Sequence, residues 1–364
     1  MNLVFRCDAS PILGTGHVYR CLTLATALKP YASRLVFVVM SHRDNLAQLI
    51  QSRGFDCVEL NSVELSPDML GETKWREYPQ QADWQATHSE LSKLQGPTDL
   101  VIVDHYSLSS YWEGLAKQTV KGVFVIDDLA NRPHLCDLLL DQTLGRQVND
   151  YSHLVPNSCQ LLLGGDFTLL RQEFADFKSQ SIANKKAKTK IKSLLIAMGG
   201  SDNENATLTI LRSLAKFDQL NVSLLLGPLF NHLDELKAFL AAHPKLNVTL
   251  HRNVSNVAEI LASQHLAIGA SGASSWERMA LGIPTLLYTL APNQKQIALQ
   301  LEKLKCGLDM GNIENFDSQT LHAELKRFID DALYYQLMVD NNLSAINAFG
   351  TNKVVEKITE YCGI

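Results

Sequence analysis

A histidine follows a short glycine turn near the start of the chain, in the run Gly14-Thr15-Gly16-His17. The run comes after an apolar strand pattern and opens a helical pattern whose apolar face consists of Val18, Cys21, Leu22, Ala25 and Leu28. Glycine lets the backbone approach a ligand closely, and the free N–H groups of a helix's first turn favour negative charge. That positive end also disfavours imidazolium, so we expect His17 to be neutral and able to accept a proton. The alternative is a plain glycine turn followed by a surface histidine.

A second run of small polar residues begins at the end of a later strand pattern and enters a short helix. Its candidate ligand groups are Ser271, Gly272, Ser274, Ser275 and Glu277. Backbone N–H groups and hydroxyls at a helix start can hold a diphosphate, and Glu277 can accept hydrogen bonds from a ribose diol. Alternatively, the serines cap the helix and Glu277 completes a capping box. Together with the Gly282-Ile283-Pro284 return to the sheet, the run favours nucleotide binding.

Other polar side chains follow strand patterns and have open alternatives. Tyr106 is a sugar contact or a surface tyrosine, and Asp104 and His105 cap or orient the same loop. One of Asp127 and Asp128 is expected to organise the site; the alternative is that they contribute to a metal site. The sequence has no second cluster of carboxylates or histidines at ligand spacing that would support a bound metal. Four residues of the second half are further candidates. Gly199 and Gly200 are expected to line the cleft, where a side chain would intrude. Asn293 and Gln294 either bind diphosphate or sugar hydroxyls or cap the helix that follows.

Strand and helix patterns alternate along the whole chain, and the strand patterns are almost continuously apolar, as parallel strands buried on both faces are. The predicted fold is α/β, with two doubly wound, Rossmann-like domains facing across a cleft. We predict an N-terminal domain over 1–178, a solvated linker over 179–190 with a lysine-rich run, and a C-terminal domain over 191–364. The last helix is expected to pack back on the first domain. The polar segment Ser62 to Asp83 is predicted to be a loop or short irregular helices.

Composition excludes several classes of protein. The 364 residues are 46% hydrophobic and carry a formal net charge of −5, without a basic stripe interleaved with aromatics, so nucleic acid is not an expected partner. The seven cysteines are scattered, which fits a reducing compartment. The chain shows neither an apolar run of roughly 20 residues nor a signal-peptide pattern at its start. We therefore expect a cytoplasmic protein that does not bind membranes. A monomer is expected, although composition does not determine the oligomeric state.

Two sets of motifs resemble known proteins. The second half is similar to the nucleotide segment of the UDP-N-acetylglucosamine transferase of peptidoglycan synthesis, which has the GT-B fold. The N-terminal motif resembles that of the UDP-sugar hydrolases of pseudaminic acid biosynthesis, in the residues Arg6, Asp8, Ser10, Gly14, Gly16, His17 and Arg20. Further matches are Asp104-His105-Tyr106, Asp127-Asp128, His134-x-Cys136-Asp137, Met198-Gly199-Gly200-Ser201-Asp202 and Pro292-Asn293-Gln294. The matches run from residue 6 to about residue 300.

This resemblance implies hydrolysis of UDP-2,4-diacetamido-2,4,6-trideoxy-β-L-altropyranose to UDP and the free sugar. His17 is the expected catalytic base, and no cofactor or metal is expected. The expected substrate-binding residues are Arg6, Asp8, Gly14, Gly16, Arg20, Tyr106, Gly199, Gly200, Ser271, Gly272, Ser274, Ser275, Glu277, Asn293 and Gln294.

Water attack at the anomeric carbon needs a base, whereas UDP is a stable leaving group whose charge a helix start can hold. Attack opposite the leaving group would invert the anomeric centre. Asp8 is a candidate for orienting the imidazole. Two other functions stay open: a GT-B glycosyltransferase with a hydroxyl acceptor, and a binding protein without catalysis. Acidic residues between Ser62 and Asp83 mildly favour water as the acceptor.

Overall fold

The structure is a computed structural model that describes residues 1–10, 13–41, 45–60, 74, 76–186, 190–217, 219–292 and 294–364. Its strands are, in chain order, β1 (Asn2–Cys7), β2 (Arg34–Met40), β3 (Asp56–Leu60), β4 (Leu100–Asp104), β5 (Val123–Ile126), β6 (Leu138–Asp141), β7 (Gln160–Leu163), β8 (Ser193–Ala197), β9 (Asn221–Leu226), β10 (Asn247–Arg252), β11 (Leu266–Ala270), β12 (Thr285–Thr289) and β13 (Gly307–Asn312). Its α-helices are α1 (Gly16–Leu28), α2 (Ala47–Ser52), α3 (Gln80–Leu91), α4 (Ser110–Ala116), α5 (Gln172–Asp176), α6 (Lys178–Lys186), α7 (Ala206–Ser213), α8 (Leu233–Ala242), α9 (Val257–Ala262), α10 (Ser274–Ala280), α11 (Gln294–Lys303), α12 (Ser318–Asp330), α13 (Ala332–Ala345) and α14 (Gly350–Cys362).

The strands form two fully parallel sheets. The first has seven strands in the order β3-β2-β1-β4-β5-β6-β7, and the second has six in the order β10-β9-β8-β11-β12-β13. In each sheet the chain runs outward from one central strand and then returns to that strand's other side. The strand order therefore reverses between β1 and β4, and again between β8 and β11. Such reversal points are where doubly wound folds hold their ligands.

Apolar side chains cover both faces of each sheet, which explains the continuous apolar strand patterns. In β1, Phe5 packs against Phe37 and belongs to a buried cluster with Val354 of α14. Val4, the preceding residue, points to the other face, where Trp112 of α4 is buried in a separate cluster. One face of the second sheet is covered by a cluster drawn from β8, β11, β12 and the helices α7, α12 and α13. On its other face, Leu195, Ala267 and Leu287 are also buried.

Two compact units make up the chain, and their boundaries differ from those predicted. The first comprises Met1–Leu169 and Phe349–Ile364, and the second comprises Leu170–Ala348. The last helix, α14, thus belongs to the first unit, as expected. The predicted linker over 179–190 is wrong for its first part, because α6 is an integral helix of the second unit. Ser181 and Lys185 are buried there, and the Ser181 hydroxyl donates to the carbonyl of Leu281 (2.7 Å).

Two further expectations meet the described residues only in part. Residues 62–73 and 75 of the predicted loop, and residues 187–189 of the lysine-rich run, lie outside the described residues. The end of the loop, from Gln80 to Asp83, is the first turn of α3, a regular helix of 12 residues. In the part of the chain that the structure describes, no helix is long and apolar enough to cross a membrane.

Candidate active site

The glycine turn before α1 lies at the reversal point of the first sheet. Gly14 has a φ of +76°, a conformation that favours glycine, and its N–H donates to the carbonyl of Ser10 (2.9 Å). A Cβ atom placed on Gly14 or on Gly16 would meet no heavy atom of the described residues within 4 Å. The backbone of the turn is therefore open to a ligand at the position where α1 begins.

His17 is held by a buried carboxylate. Its Nδ1 lies 2.6 Å from Oδ1 of Asp104, the last residue of β4, and only 4% of the histidine is exposed. The alternative of a surface histidine is therefore wrong. Burial alone would raise the pKa of Asp104, but the Arg20 guanidinium and His17 hold it well below its usual range. Because Asp104 is anionic, Nδ1 of His17 is assigned the proton and Nε2 is left to accept one.

Arg20 connects Asp104 to a second carboxylate. Its Nε and Nη2 donate to Asp104 (2.5 and 2.6 Å), and its Nη1 donates to Oδ2 of Asp128 (2.8 Å). The Tyr106 hydroxyl lies 3.5 Å from the same Oδ2, and the Tyr106 ring packs edge-on against His17 with ring centres 4.4 Å apart. Arg20 was expected to bind substrate, but these three N–H groups donate to two carboxylates of the site.

Arg6 and Asp8 lie on the other face of the sheet. Cys7 pairs in register with Asp104, so the side chains of these two residues share the face covered by α1. The neighbours of Cys7 point the opposite way. The Arg6 guanidinium donates to Asp8 (2.6 and 3.0 Å) and to Asp83 (2.6 and 3.2 Å), and all three residues are buried. The hypothesis that Asp8 orients the imidazole is therefore wrong, because Asp104 occupies that position.

Asp8 instead fixes a second histidine. Nε2 of His105 lies 3.0 Å from Oδ2 of Asp8, and Nδ1 of His105 accepts from the N–H of Ser107 (3.0 Å). A neutral imidazole fits this pair of partners, and burial lowers the pKa of His105, although Asp8 opposes the shift. His105 thereby anchors the loop that carries Tyr106.

Asp127 anchors the end of β5. It accepts from Nη1 of Arg132 (2.8 Å), from the N–H of Ala130 (2.9 Å) and from the Tyr151 hydroxyl (2.8 Å). Burial opposes ionisation, but the Arg132 guanidinium keeps the pKa of Asp127 well below its usual range. The described residues contain no group of three or more His, Cys, Asp or Glu side chains arranged to hold a metal ion. Asp127 therefore fits the organising role better than that of a metal ligand.

The run from Ser271 to Glu277 lies at the reversal point of the second sheet. Ser271 is buried, and its N–H and hydroxyl both donate to the carbonyl of Tyr288 (3.1 and 3.3 Å), so it anchors the loop. Ser274 and Ser275 begin α10, but the residue preceding that helix is Ala273 and no side chain caps it. The structure therefore does not show the capping box that was the alternative.

Glu277 is partly exposed. Its Oε1 accepts from Nη2 of Arg171 (3.3 Å) within the same unit. Burial raises the pKa of Glu277, and Arg171 opposes the shift. The sequence analysis did not identify Arg171, because the residues next to it in the chain do not indicate that it pairs with Glu277, about a hundred positions away.

Gly199 and Gly200 lie in the irregular segment that follows β8. Gly199 has a φ of +90°, and a Cβ on Gly227 would lie only 2.2 Å from the Gly200 carbonyl oxygen, so the two backbones touch. Oε1 of Gln294 accepts from the N–H of Leu290 (2.9 Å), which closes the turn before α11. A Cβ on Gly272 would lie 3.8 Å from Nε2 of Gln294, so the amide borders the serine loop. Asn293 lies outside the described residues.

The chain is similar to a UDP-sugar hydrolase and to GT-B glycosyltransferases. It is 28% identical over 273 residues to the UDP-2,4-diacetamido-2,4,6-trideoxy-beta-L-altropyranose hydrolase of Campylobacter jejuni, covering 74% of this chain and 85% of that protein. It is 24% identical to an uncharacterized protein of Methanocaldococcus jannaschii over 98% of this chain and 74% of that protein. No protein-family model matches.

Solved structures show the fold. The MurG structure from Acinetobacter baumannii matches 99% of this chain and 100% of its own with a TM-score of 0.63 at 14% identity. The calicheamicin glycosyltransferase CalG4 matches 100% of this chain and 98% of its own with a TM-score of 0.65 at 15% identity. Two parallel α/β sheets with this strand order and these neighbours give the chain a GT-B-like fold.

Proposed function

We propose that the chain hydrolyses a UDP-linked sugar by water attack at the anomeric carbon. The observation that carries the proposal is the His17–Asp104 pair at the reversal point of the first sheet, beside the open glycine turn. A buried carboxylate that orients an imidazole is the arrangement of a general base. Similarity to the Campylobacter hydrolase over three quarters of the chain supports water as the acceptor.

In the proposed reaction, Nε2 of His17 takes a proton from water as the water oxygen bonds to the anomeric carbon. The bond from that carbon to the diphosphate oxygen breaks with its electron pair, and UDP leaves as an anion. Asp104 stabilises the imidazolium that forms, and Arg20 keeps Asp104 ionised. Attack opposite the leaving group inverts the anomeric centre. The expected UDP contacts are the Ser271–Ser275 loop for the diphosphate and Glu277 for the ribose.

The proposed substrate is UDP-2,4-diacetamido-2,4,6-trideoxy-β-L-altropyranose, the compound named for the Campylobacter relative. Of the other expected substrate contacts, Gly14, Gly16 and Tyr106 lie beside His17, whereas Arg6, Asp8 and Arg20 hold this part of the sheet in shape. We therefore assign the last three to positioning. Gly199, Gly200, Gly272 and Gln294 remain expected contacts of the nucleotide.

A glycosyltransferase is the second candidate. The observation that favours it is an open depression of about 710 Å³ in the first unit, between the starts of α3 and α4. It is lined by residues that include Tyr78, Gln81, Gln85, Ser110 and Tyr111, and such a polar and aromatic surface suits a hydroxylated acceptor.

The release of UDP separates these functions. The protein is incubated with the UDP-sugar and no acceptor, and free UDP is measured while NMR follows the anomer released first. A hydrolase releases UDP at a steady rate and gives the inverted anomer. UDP release that requires an added acceptor would establish a transferase, and binding without release would establish a non-catalytic protein. Either result would refute the proposal.

A further inference from the structure

A fully buried arginine lies directly behind the serine loop. Arg278 of α10 is 1% exposed, and its Nη2 donates to the carbonyl of Ala270 (2.8 Å) and to the Ser275 hydroxyl oxygen (3.0 Å). Its Nη1 donates to the Ser274 hydroxyl oxygen (3.0 Å). The strand leaves room for this group, since a Cβ on Gly269 would lie 2.9 Å from Nη1. The guanidinium thus joins the end of β11 to both serines.

Among the described residues, Arg278 has no carboxylate within ion-pair distance. Glu277, next to it in the chain, is instead bonded to Arg171 (3.3 Å). Burial lowers the pKa of Arg278 to about 10, with Glu277 opposing, so the group is still a cation at neutral pH. An unpaired buried charge is unfavourable for folding alone. Its hydrogen-bond partners here are the neutral Ala270 carbonyl and the two serine hydroxyls, and the Glu277 carboxylate acts on it only from beyond ion-pair distance.

We propose that Arg278 is a positioning residue for the diphosphate of a nucleoside diphosphate at the Ser271–Ser275 loop. This inference rests on the proposed function and adds a residue that touches no ligand. The Ser274 and Ser275 oxygens each accept a hydrogen bond from the guanidinium, so each hydroxyl hydrogen is directed away from Arg278. Ser275 is buried, whereas Ser274 is partly exposed and can donate to an anionic oxygen. The buried positive charge strengthens the same interaction, because the low dielectric of the interior screens it little.

A purely structural role predicts different behaviour. If Arg278 only held the loop in shape, its loss would weaken every ligand of the loop, whether charged or neutral. If it positions donors for an anion, its loss weakens UDP and spares uridine. Arg278→Met removes the charge but keeps a long apolar stem, and Arg278→Lys keeps the charge. Arg212→Met is the matched control, because Arg212 is an exposed arginine of the same unit that pairs with Glu235.

Calorimetry measures UDP affinity, and ligand-detected NMR measures uridine binding, for the full chain and each variant. Arg278→Met should lose about tenfold to a hundredfold in UDP affinity with uridine binding unchanged, Arg278→Lys should lose less, and Arg212→Met should match the wild type. The effects of Ser274→Ala and Ser275→Ala should largely disappear in the Arg278→Met background, because the serines act with the arginine.

The inference is overturned if Arg278→Met binds UDP as the wild type does, or if it loses UDP and uridine equally. If Arg278→Met fails to fold, UDP affinity and uridine binding are measured instead for Arg278→Lys and for the two serine variants. Equal losses of UDP and uridine affinity in those variants would also overturn the inference. A wild type that binds no UDP would refute the proposed nucleotide site, and this inference with it. A wild type that binds UDP beside an unaffected Arg278→Met would refute this inference alone.

Discussion

Replacing Asp104 by asparagine tests how His17 is held in place. The substitution keeps the shape of the side chain but removes the negative charge that lies 2.6 Å from Nδ1 of His17. A hydrogen bond to a charged group contributes about 1.5–3 kcal/mol, which corresponds to roughly a tenfold to 150-fold change in rate. An amide can also donate to Nδ1 and leave the proton on Nε2, where it blocks base catalysis. The same change in the serine protease triad costs about 10⁴-fold.

We therefore expect Asp104→Asn to lower kcat by about 10² to 10⁴-fold, with UDP affinity unchanged. The free energy of unfolding should fall by about 3 kcal/mol, because the buried Arg20 loses its ion pair with Asp104. The loss should not be larger, since Arg20 keeps its bond to Asp128. Turnover must accordingly be measured at a temperature where circular dichroism shows the variant folded. The control is Asp99→Asn, since Asp99 immediately precedes β4, at the opposite end from Asp104, and pairs there with Lys121.

The reasoning is refuted if folded Asp104→Asn turns over within about threefold of the wild type. It is also refuted if the loss appears equally in Asp99→Asn. A fall in UDP affinity that accounts for the whole loss of kcat/KM would place the effect on binding rather than on the base.

Three further predictions concern other parts of the molecule. Glu277→Ala should weaken UDP binding by about tenfold to a hundredfold in calorimetry, and unchanged affinity in a folded protein would contradict the ribose assignment. Turnover should survive exhaustive chelation with EDTA; abolition by EDTA and recovery with magnesium would make Asp127 and Asp128 the first residues to test. Burial lowers the pKa of Lys185 from 10.5 to about 7, so the unfolded chain binds more protons between these values, and the wild type gains stability as the pH rises through them. In urea titrations, Lys185→Met should therefore raise the free energy of unfolding by about 1–3 kcal/mol at pH 7 and by progressively less towards pH 10. The control Lys186→Met, at an exposed position, should not change the free energy of unfolding in this way. Equal stability of the wild type and Lys185→Met at pH 7 would be evidence against the burial of the amine.

The sequence was sufficient to predict β1 and the glycine turn before α1, because a strand buried on both faces is apolar throughout and glycines favour a turn. It left open whether His17 is buried or lies on the surface. It was not sufficient to choose between Asp8 and Asp104. Asp8 follows β1, and Asp104 ends the neighbouring strand β4. Which of the two reaches His17 depends on the register of Cys7 with Asp104 and on which face of the sheet α1 covers. Such facts exist only once the sheet has formed.

Arg278 was missed for a related reason. An arginine in a short helix is ordinarily solvated, and its burial depends on the space that Gly269 leaves in a neighbouring strand. The first part of the predicted linker was wrong because a lysine-rich stretch was expected to be exposed throughout, whereas the Lys185 side chain is buried and its amine bonds to the Ser181 hydroxyl (2.6 Å). Composition describes a segment as a whole and does not show which single side chain turns inward.

The most direct test of the account is the turnover of His17→Asn with the UDP-sugar and no acceptor. Asparagine keeps much of the shape and some hydrogen bonding but cannot take a proton from water at neutral pH. We expect kcat to fall by about 10² to 10⁴-fold while the affinity for UDP stays that of the wild type, and the exposed His153→Asn to turn over normally. Near-normal kcat in a folded His17→Asn would contradict the account, since the base would then be another residue, with Tyr106 the next to test.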